Sequence, residues 1–264
     1  FNLRLAKKLK TLNFDVTYFI LPQVWAWKES RIKVLKESCN RLISIIPFEQ
    51  SWFAKRGVKV HYAGHPLVEL SNHDYDRKRF CVQHNIPEKN KIIILMPGSR
   101  QVEIKRHWGV FENTVKMLMT KKNNLSFVLI EGENVSIEST LSLVRIKKNQ
   151  YEAINVADAA IVCSGTATLE VAMLRCPMVV CYKLSTPTWF LAKTLSKVDY
   201  LSLSNLIAEE EVVKEFVQGD MNVKNLAKGV ISLLRKENKD VVVKKYNKLI
   251  NKLKNNQNSY DSAA

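Results

Sequence analysis

The chain has 264 residues, 46% hydrophobic and 25% charged, a composition that excludes both an unfolded chain and a small disulfide-stapled scaffold and allows a substantial core. A formal charge of +16 suits nucleic acid, an anionic membrane or an acidic substrate. Lysines are spread along nearly the whole chain, and no zinc-finger spacing or RNA-binding aromatic pair accompanies them, so specific nucleic-acid recognition is not expected.

Residues 1–12 predict a helix with Leu3, Leu5 and Leu9 partly buried, and 16–20 a short strand. The loop Pro22-Gln23-Val24-Trp25-Ala26-Trp27 follows; its two tryptophans either complete an interdomain core or face an apolar ligand or membrane. A basic helix over 31–39, a buried strand over 41–46, a helix over 49–56 ended by Gly57, and a strand over 58–62 lead to Gly64-His65-Pro66. Strand and helix alternating at this spacing imply a parallel sheet with crossover helices, hence an α/β protein. The polar stretch 71–79 reads as a domain junction.

A second unit predicts strands at 91–96, 125–130, 142–146, 159–163 and 177–182, with helices near 103–120, 150–156 and 166–175. The acidic run Glu209-Glu210-Glu211 suggests a helix over 207–218, followed by a helix over 223–234. The lysine-rich stretch 235–253 carries Val242, Tyr246, Leu249 and Leu253 near helical spacing, which favours a helix docked on the core, and 255–264 reads as a frayed end. The expected division is therefore 1–66, 67–234 and 235–264.

Five cysteines, Cys39, Cys81, Cys163, Cys176 and Cys181, lack a CxxC spacing and lie mostly in apolar stretches. They read as reduced packing thiols, and no metal site or cofactor is expected. No run of about 18 apolar residues offers a membrane span.

Chemistry concentrates where two apolar strands hand over to helices. In Pro97-Gly98-Ser99-Arg100, Gly98 permits a tight turn, Ser99 suits a cap, and Arg100 suits bidentate contact with phosphate. Glu103 is one position too far from Ser99 for a capping box, and either holds Arg100 or favours the helix start. In the second loop Ser164, Gly165 and Thr166 offer amides and hydroxyls, while Glu170 either accepts two ribose hydroxyls or caps backbone donors. Together the loops point to a nucleotide-diphosphate site. Neither is a Walker or GxGxxG sequence, which disfavours ATP-driven phosphoryl transfer and dinucleotide redox chemistry.

Ser202, Ser204 and Asn205 either meet a sugar or diphosphate or cap a helix, and Lys183 and Lys193 are phosphate contacts or plain surface. His61, His65 and His107 have the titration range for proton transfer but no nearby carboxylate in sequence to orient them, and His107 also lies where phosphate charge would reach it.

The order Pro22–Trp27, Arg31-Ile32, Pro47-Phe48-Glu49, Gly64-His65-Pro66-Leu67, Pro97–Arg100 with Glu103-Ile104, Ala157–Ala160, Ser164–Glu170, Pro177–Val180, Tyr182-Lys183 and Ser202–Ala208 resembles the lipid-A-disaccharide synthases across residues 1–218. These are glycosyltransferases of the two-domain GT-B type. The resemblance implies the later part of a first Rossmann-like domain followed by a nearly complete nucleotide-binding one.

It implies inverting transfer of diacylglucosamine from UDP-2,3-diacylglucosamine to lipid X, a diacylglucosamine 1-phosphate, giving lipid A disaccharide phosphate and UDP. The setting would be the anionic cytoplasmic face of a Gram-negative inner membrane, compatible with a homodimer. Gly98, Ser99, Arg100, Ser164, Gly165, Thr166, Glu170, Ser202 and Asn205 would bind substrate, with Arg100 and Asn205 at the catalytic centre and no metal required. Alternatives are another UDP-sugar transferase or epimerase, or a silent UDP- or lipid-binding fragment. The acidic residue proposed as catalytic in the family lies in a segment before the match to Phe1, so the resemblance names no base here. Two local differences depart from the pattern: Glu209-Glu210 replaces Gly-Arg, where an acid at the arginine position facing the cleft would repel a diphosphate, and Ser204 replaces proline.

Overall fold

The structure, a computed structural model, describes residues 1–132, 135–195 and 198–255. In chain order the elements are α1 (Asn2–Thr11), β1 (Thr17–Phe19), α2 (Arg31–Ser38), β2 (Arg41–Ser44), α3 (Pro47–Ala54), β3 (His61–Tyr62), α4 (Arg77–Gln83), β4 (Lys91–Met96), α5 (Gln101–Lys121), β5 (Leu125–Ile130) and β6 (Val144–Ile146). Then come α6 (Gln150–Asn155), β7 (Ala159–Cys163), α7 (Ala167–Met173), β8 (Met178–Tyr182), α8 (Thr186–Leu195), α9 (Leu203–Ala208), β9 (Glu215–Val217), α10 (Val223–Leu233) and α11 (Lys236–Leu253). They form two compact units, one built on residues 1–68 with returning segments that begin at Pro187 and Ile250, the other on 69–186 and 200–249.

The first unit holds a parallel sheet in the order β1-β2-β3, with Thr17 opposite Arg41 and Ile43 opposite His61. Its core is Leu21, Val24, Leu35, Leu42, Phe53, Val58 and Val60. The two tryptophans part company: Trp25 is buried, stands edge-on to Phe48 and donates from Nε1 to Glu49 at 2.8 Å, whereas Trp27 is half exposed beneath Lys28 and Arg31. Glu49 is itself buried, and burial pushes its carboxyl up to about 7 despite hydrogen bonds from Trp25 and Ser44. In α1 only Ala6 is buried, and Leu5, expected to be partly covered, is exposed.

The second unit holds six parallel strands in the order β6-β5-β4-β7-β8-β9. Chain direction across the sheet reverses between β4 and β7, so the loops that follow these two strands diverge to opposite faces and leave a crevice at their carboxyl ends. Ile92 to Leu95 are inaccessible to solvent, as a central strand covered on both faces requires. Phe111, Val115 and Leu118 of α5 and Leu226 and Val230 of α10 belong to the same core.

At the opposite, amino-terminal edge of the sheet Asp158 accepts from the Ile92 amide (3.0 Å), Arg77 Nη2 (3.0 Å) and Lys91 Nζ (3.1 Å). Burial alone would raise its pKa, but these partners outweigh it and hold the carboxyl below its usual range.

Two differences from the sequence-based expectations stand out. The helix expected over 207–218 is absent: α9 stops at Ala208, Glu209 turns left-handed (φ 61°), and the chain continues into β9 at the sheet edge. Inside the expected junction α4 begins, capped by Asp76, which accepts from the amides of Lys78 (2.8 Å) and Arg79 (3.2 Å). The C-terminal helix does bury Tyr246, Leu249 and Leu253, while the expected frayed end beyond Asn255 lies outside the described residues.

Candidate functional site

Gly98 follows β4 with φ 135°, a conformation that favours glycine, and a Cβ there would lie 2.9 Å from Glu103 Cβ. Arg100 occupies the N-cap position of α5. Glu103, three residues on, accepts from the Ser99 amide (3.3 Å) and pairs with Arg100 Nη1 (3.2 Å). The expectation that Glu103 holds Arg100 is therefore met, although the Arg100 side chain stays 80% exposed.

Across the crevice Gly165 follows β7 with φ 155°, and Thr166 takes the N-cap position of α7. Ser164 spends its hydroxyl on the Leu201 carbonyl (2.9 Å), and Thr168 donates to the Gly165 carbonyl (2.8 Å). One cavity of about 360 Å³ is lined by Gly98, Ser99, Arg100, Ser164, Gly165, Thr166 and Glu170 together. Its wall also includes Gly132 and Gln150, neither of which any local sequence signal marks. Gln150 Nε2 donates to Glu170 Oε2 at 3.2 Å, and burial raises the Glu170 carboxyl above its ordinary pKa.

Ser202 and Asn205 are not among the residues lining this cavity; both are fully buried. Ser202 caps α9 and donates to Glu215 Oε1 (2.7 Å). Asn205 Oδ1 accepts from the amides of Val212 and Val213 (2.9 Å each), and its Nδ2 donates to the Val213 carbonyl and to Glu215 Oε1 (2.8 Å each). With its carboxamide used in this way, Asn205 folds the 209–213 turn back onto α9. Glu215 also accepts from the Leu201 amide (2.9 Å), so the network reaches Ser164 through the Leu201 carbonyl. Glu215 was not singled out from the sequence; its one mark is being the acid in an otherwise apolar edge strand.

The histidines divide likewise. His107 is buried, with Nδ1 2.9 Å from the Pro97 carbonyl and Nε2 accepting the Lys183 amide at 3.2 Å. Through these contacts His107 ties the end of β4 to the end of β8. Cys163 lies 3.4 Å from its Nδ1, and burial pushes that thiol up to about 12. His65 accepts the Leu67 amide on Nδ1 (3.2 Å), and burial drives it down to about 4, which leaves it uncharged at neutral pH. His61 is exposed in β3.

Lys183 is exposed beside the brace, while the side chain of Lys193 lies outside the described residues. Glu210, at the position where the resemblance has arginine, pairs with Lys245 at 3.2 Å and is not among the cavity-lining residues. Among the described residues no group of three or more His, Cys, Asp or Glu is placed to hold a metal ion, and no helix is long and apolar enough to cross a membrane.

The family model for lipid-A-disaccharide synthetase matches residues 1–264. Lipid-A-disaccharide synthase 1 of Legionella pneumophila (strain Lens) is 38% identical over 237 residues, covering 86% of this chain and 62% of the relative. The lipid-A-disaccharide synthase of Myxococcus xanthus is 33% identical over 238 residues, covering 87% of this chain and 62% of the relative. The chain thus spans less than two thirds of the length of these relatives. Among solved structures, UDP-GlcNAc 2-epimerase from Neisseria meningitidis bound to UDP-GlcNAc aligns with a TM-score of 0.58 at 14% identity, over 99% of this chain and 71% of that one. That likeness is one of fold: two parallel, Rossmann-like sheets of the GT-B class.

Proposed function

The chain belongs to the lipid-A-disaccharide synthetase family, and from that premise we propose that its second unit is the UDP-sugar half of an inverting glycosyltransferase. The observation that carries this reading is the cavity where six residues of two strand-to-helix loops converge with Glu170 of α7. Arg100 is exposed and held by one exposed pairing, which costs little to exchange for a phosphate oxygen. Its charge, the amino end of α5 and the backbone around Gly165 would receive the diphosphate, and Glu170 the ribose.

The donor is UDP-2,3-diacylglucosamine and the acceptor lipid X. The acceptor hydroxyl forms a bond to sugar C1 as the bond from C1 to the UDP oxygen breaks. The hydroxyl proton passes to a general base, and charge developing on UDP is neutralised by Arg100 and the loop dipoles. Asn205 serves this site from behind, through Glu215, Leu201 and Ser164, rather than by touching the donor. The working location is the anionic cytoplasmic face of the inner membrane, and a homodimer is compatible with this role.

The reading is tested by titrating UDP into the wild type and Arg100→Ala, alongside an assay for disaccharide formation from both substrates with this chain and a form extended to the relatives' full length. Arg100→Ala is expected to weaken UDP at least about tenfold, as loss of a charge-assisted contact requires. Equal UDP affinity would refute the role of Arg100. Absence of disaccharide from both forms, with UDP binding retained, would leave a nucleotide-binding protein in place of a transferase.

A further inference from the structure

Gln150 opens α6 and Glu170 lies in α7, and both face the cavity between the two loops. Gln150 Nε2 reaches Glu170 Oε2 at 3.2 Å, and among the described residues Glu170 Oε1 accepts no hydrogen bond. We propose that Gln150 is a positioning residue that engages one oxygen of Glu170, keeps the other open to a sugar diol, and thereby makes the site prefer a ribonucleotide to its 2′-deoxy counterpart. The inference rests on the donor-site reading above and adds to it the means by which the sugar is read.

The chemistry favours an amide at this position. A ribose diol presents two hydroxyl donors, and an ionised carboxylate is an acceptor at both oxygens, whereas a protonated one gives up part of that capacity. Glu170 is half-buried, and burial disfavours its charge. An N–H donor from Gln150 opposes that effect, because a hydrogen bond to a carboxylate favours its charged form, and it limits rotation of the carboxylate. Because the donor is neutral, it does so without cancelling the charge that attracts the hydroxyls, as a lysine or arginine would.

Other titratable groups surround the pair. Tyr151 of α6 has its hydroxyl raised first by burial and then by the charge of Glu170, with a hydrogen bond to Gln150 acting in the opposite sense, and Tyr75 acts on Tyr151 in turn. From α5, Glu103 lines the same cavity, with Arg100 at the helix cap.

The test compares UDP with 2′-deoxy-UDP by calorimetry across the acid-to-neutral range, for the wild type, Gln150→Leu and the isosteric Gln150→Glu. The wild type is expected to prefer UDP by about tenfold, the scale of one charge-assisted hydrogen bond. Both variants are expected to lose most of that preference while retaining 2′-deoxy-UDP binding, which also reports that they are folded.

The pH profile supplies a readout that packing alone would not move. Ribose recognition needs ionised Glu170, so it is present above the pKa of that group and lost as pH falls through it. Removing the donor raises the pKa, so UDP affinity should fall away at a higher pH in Gln150→Leu, and at a higher pH still in Gln150→Glu, where two carboxyls face each other. If the variants weaken both nucleotides by the same factor and leave the acid limb in place, the inference is overturned. It is equally overturned if the wild type binds UDP and 2′-deoxy-UDP alike. A wild type that binds neither nucleotide instead overturns the donor-site reading itself.

Discussion

Glu49 and Arg100 illustrate how burial, rather than charge, decides what an ionisable side chain contributes. Arg100 is exposed and available, whereas Glu49 is enclosed with Trp25 and held near pH 7. A folded-state pKa raised from the ordinary 4.5 to about 7 means that the native state prefers the protonated acid. Its contribution to stability is complete below pH 4.5 and is lost as pH rises through 7, on the order of 3 kcal/mol in all. His65 acts on the other side: with its pKa lowered to about 4, its contribution is lost as pH falls from 6.5 through that value. Urea unfolding at about pH 5 and about pH 8 separates the two when wild type is compared with Glu49→Gln. The wild type should lose more stability toward pH 8 than the variant, and parallel losses would show that Glu49 does not titrate in this window.

The central strands of the second unit are legible because each is a mostly apolar run: β4, β5 and β7 occupy the residues that hydrophobicity predicts. The loops after β4 and β7 were legible for a related reason, since small residues closing such runs mark a turn into a helix. The segment after α9 departs from the helix its sequence suggests because its geometry is set by a side chain. Asn205 takes the amides of Val212 and Val213, Glu209 adopts a left-handed turn, and β9 then pairs with β8. No periodicity encodes that arrangement. Gln150 and Glu215 carry no local sequence signal because their partners lie 20 and 10 to 14 residues away, brought together by the fold of the unit. The docking of α11 can be tested at this scale: it buries Tyr246 and Leu249 and pairs Lys245 with Glu210. Truncation after Arg235 should lower the thermal midpoint by on the order of 10 °C and increase binding of a hydrophobic dye. An unchanged midpoint would mean that the helix contributes nothing to stability.

Over the whole molecule the formal charge of +16 provides long-range attraction to an anionic surface without any specific contact. Such attraction is screened by salt, with a Debye length falling from about 10 Å at 0.1 M to about 3 Å at 1 M. Vesicles containing anionic phospholipid are therefore expected to retain the protein at low ionic strength and release it toward 1 M salt, while neutral phosphatidylcholine vesicles retain little. Equal retention by both, or indifference to salt, would argue against an electrostatic partner. Within the second unit charge is used differently at the two ends of the strands. Asp158 gathers Arg77, Lys91 and the Ile92 amide where β4 and β7 begin, and the cavity-lining loops emerge where those strands end. Six residues of strand put these ends about 20 Å apart, beyond direct coupling through contact. Substitutions on the cavity rim are thus expected to leave the Asp158 clasp on the other rim undisturbed, so that the two ends of one sheet divide the work of lining a cavity and of holding the strands together.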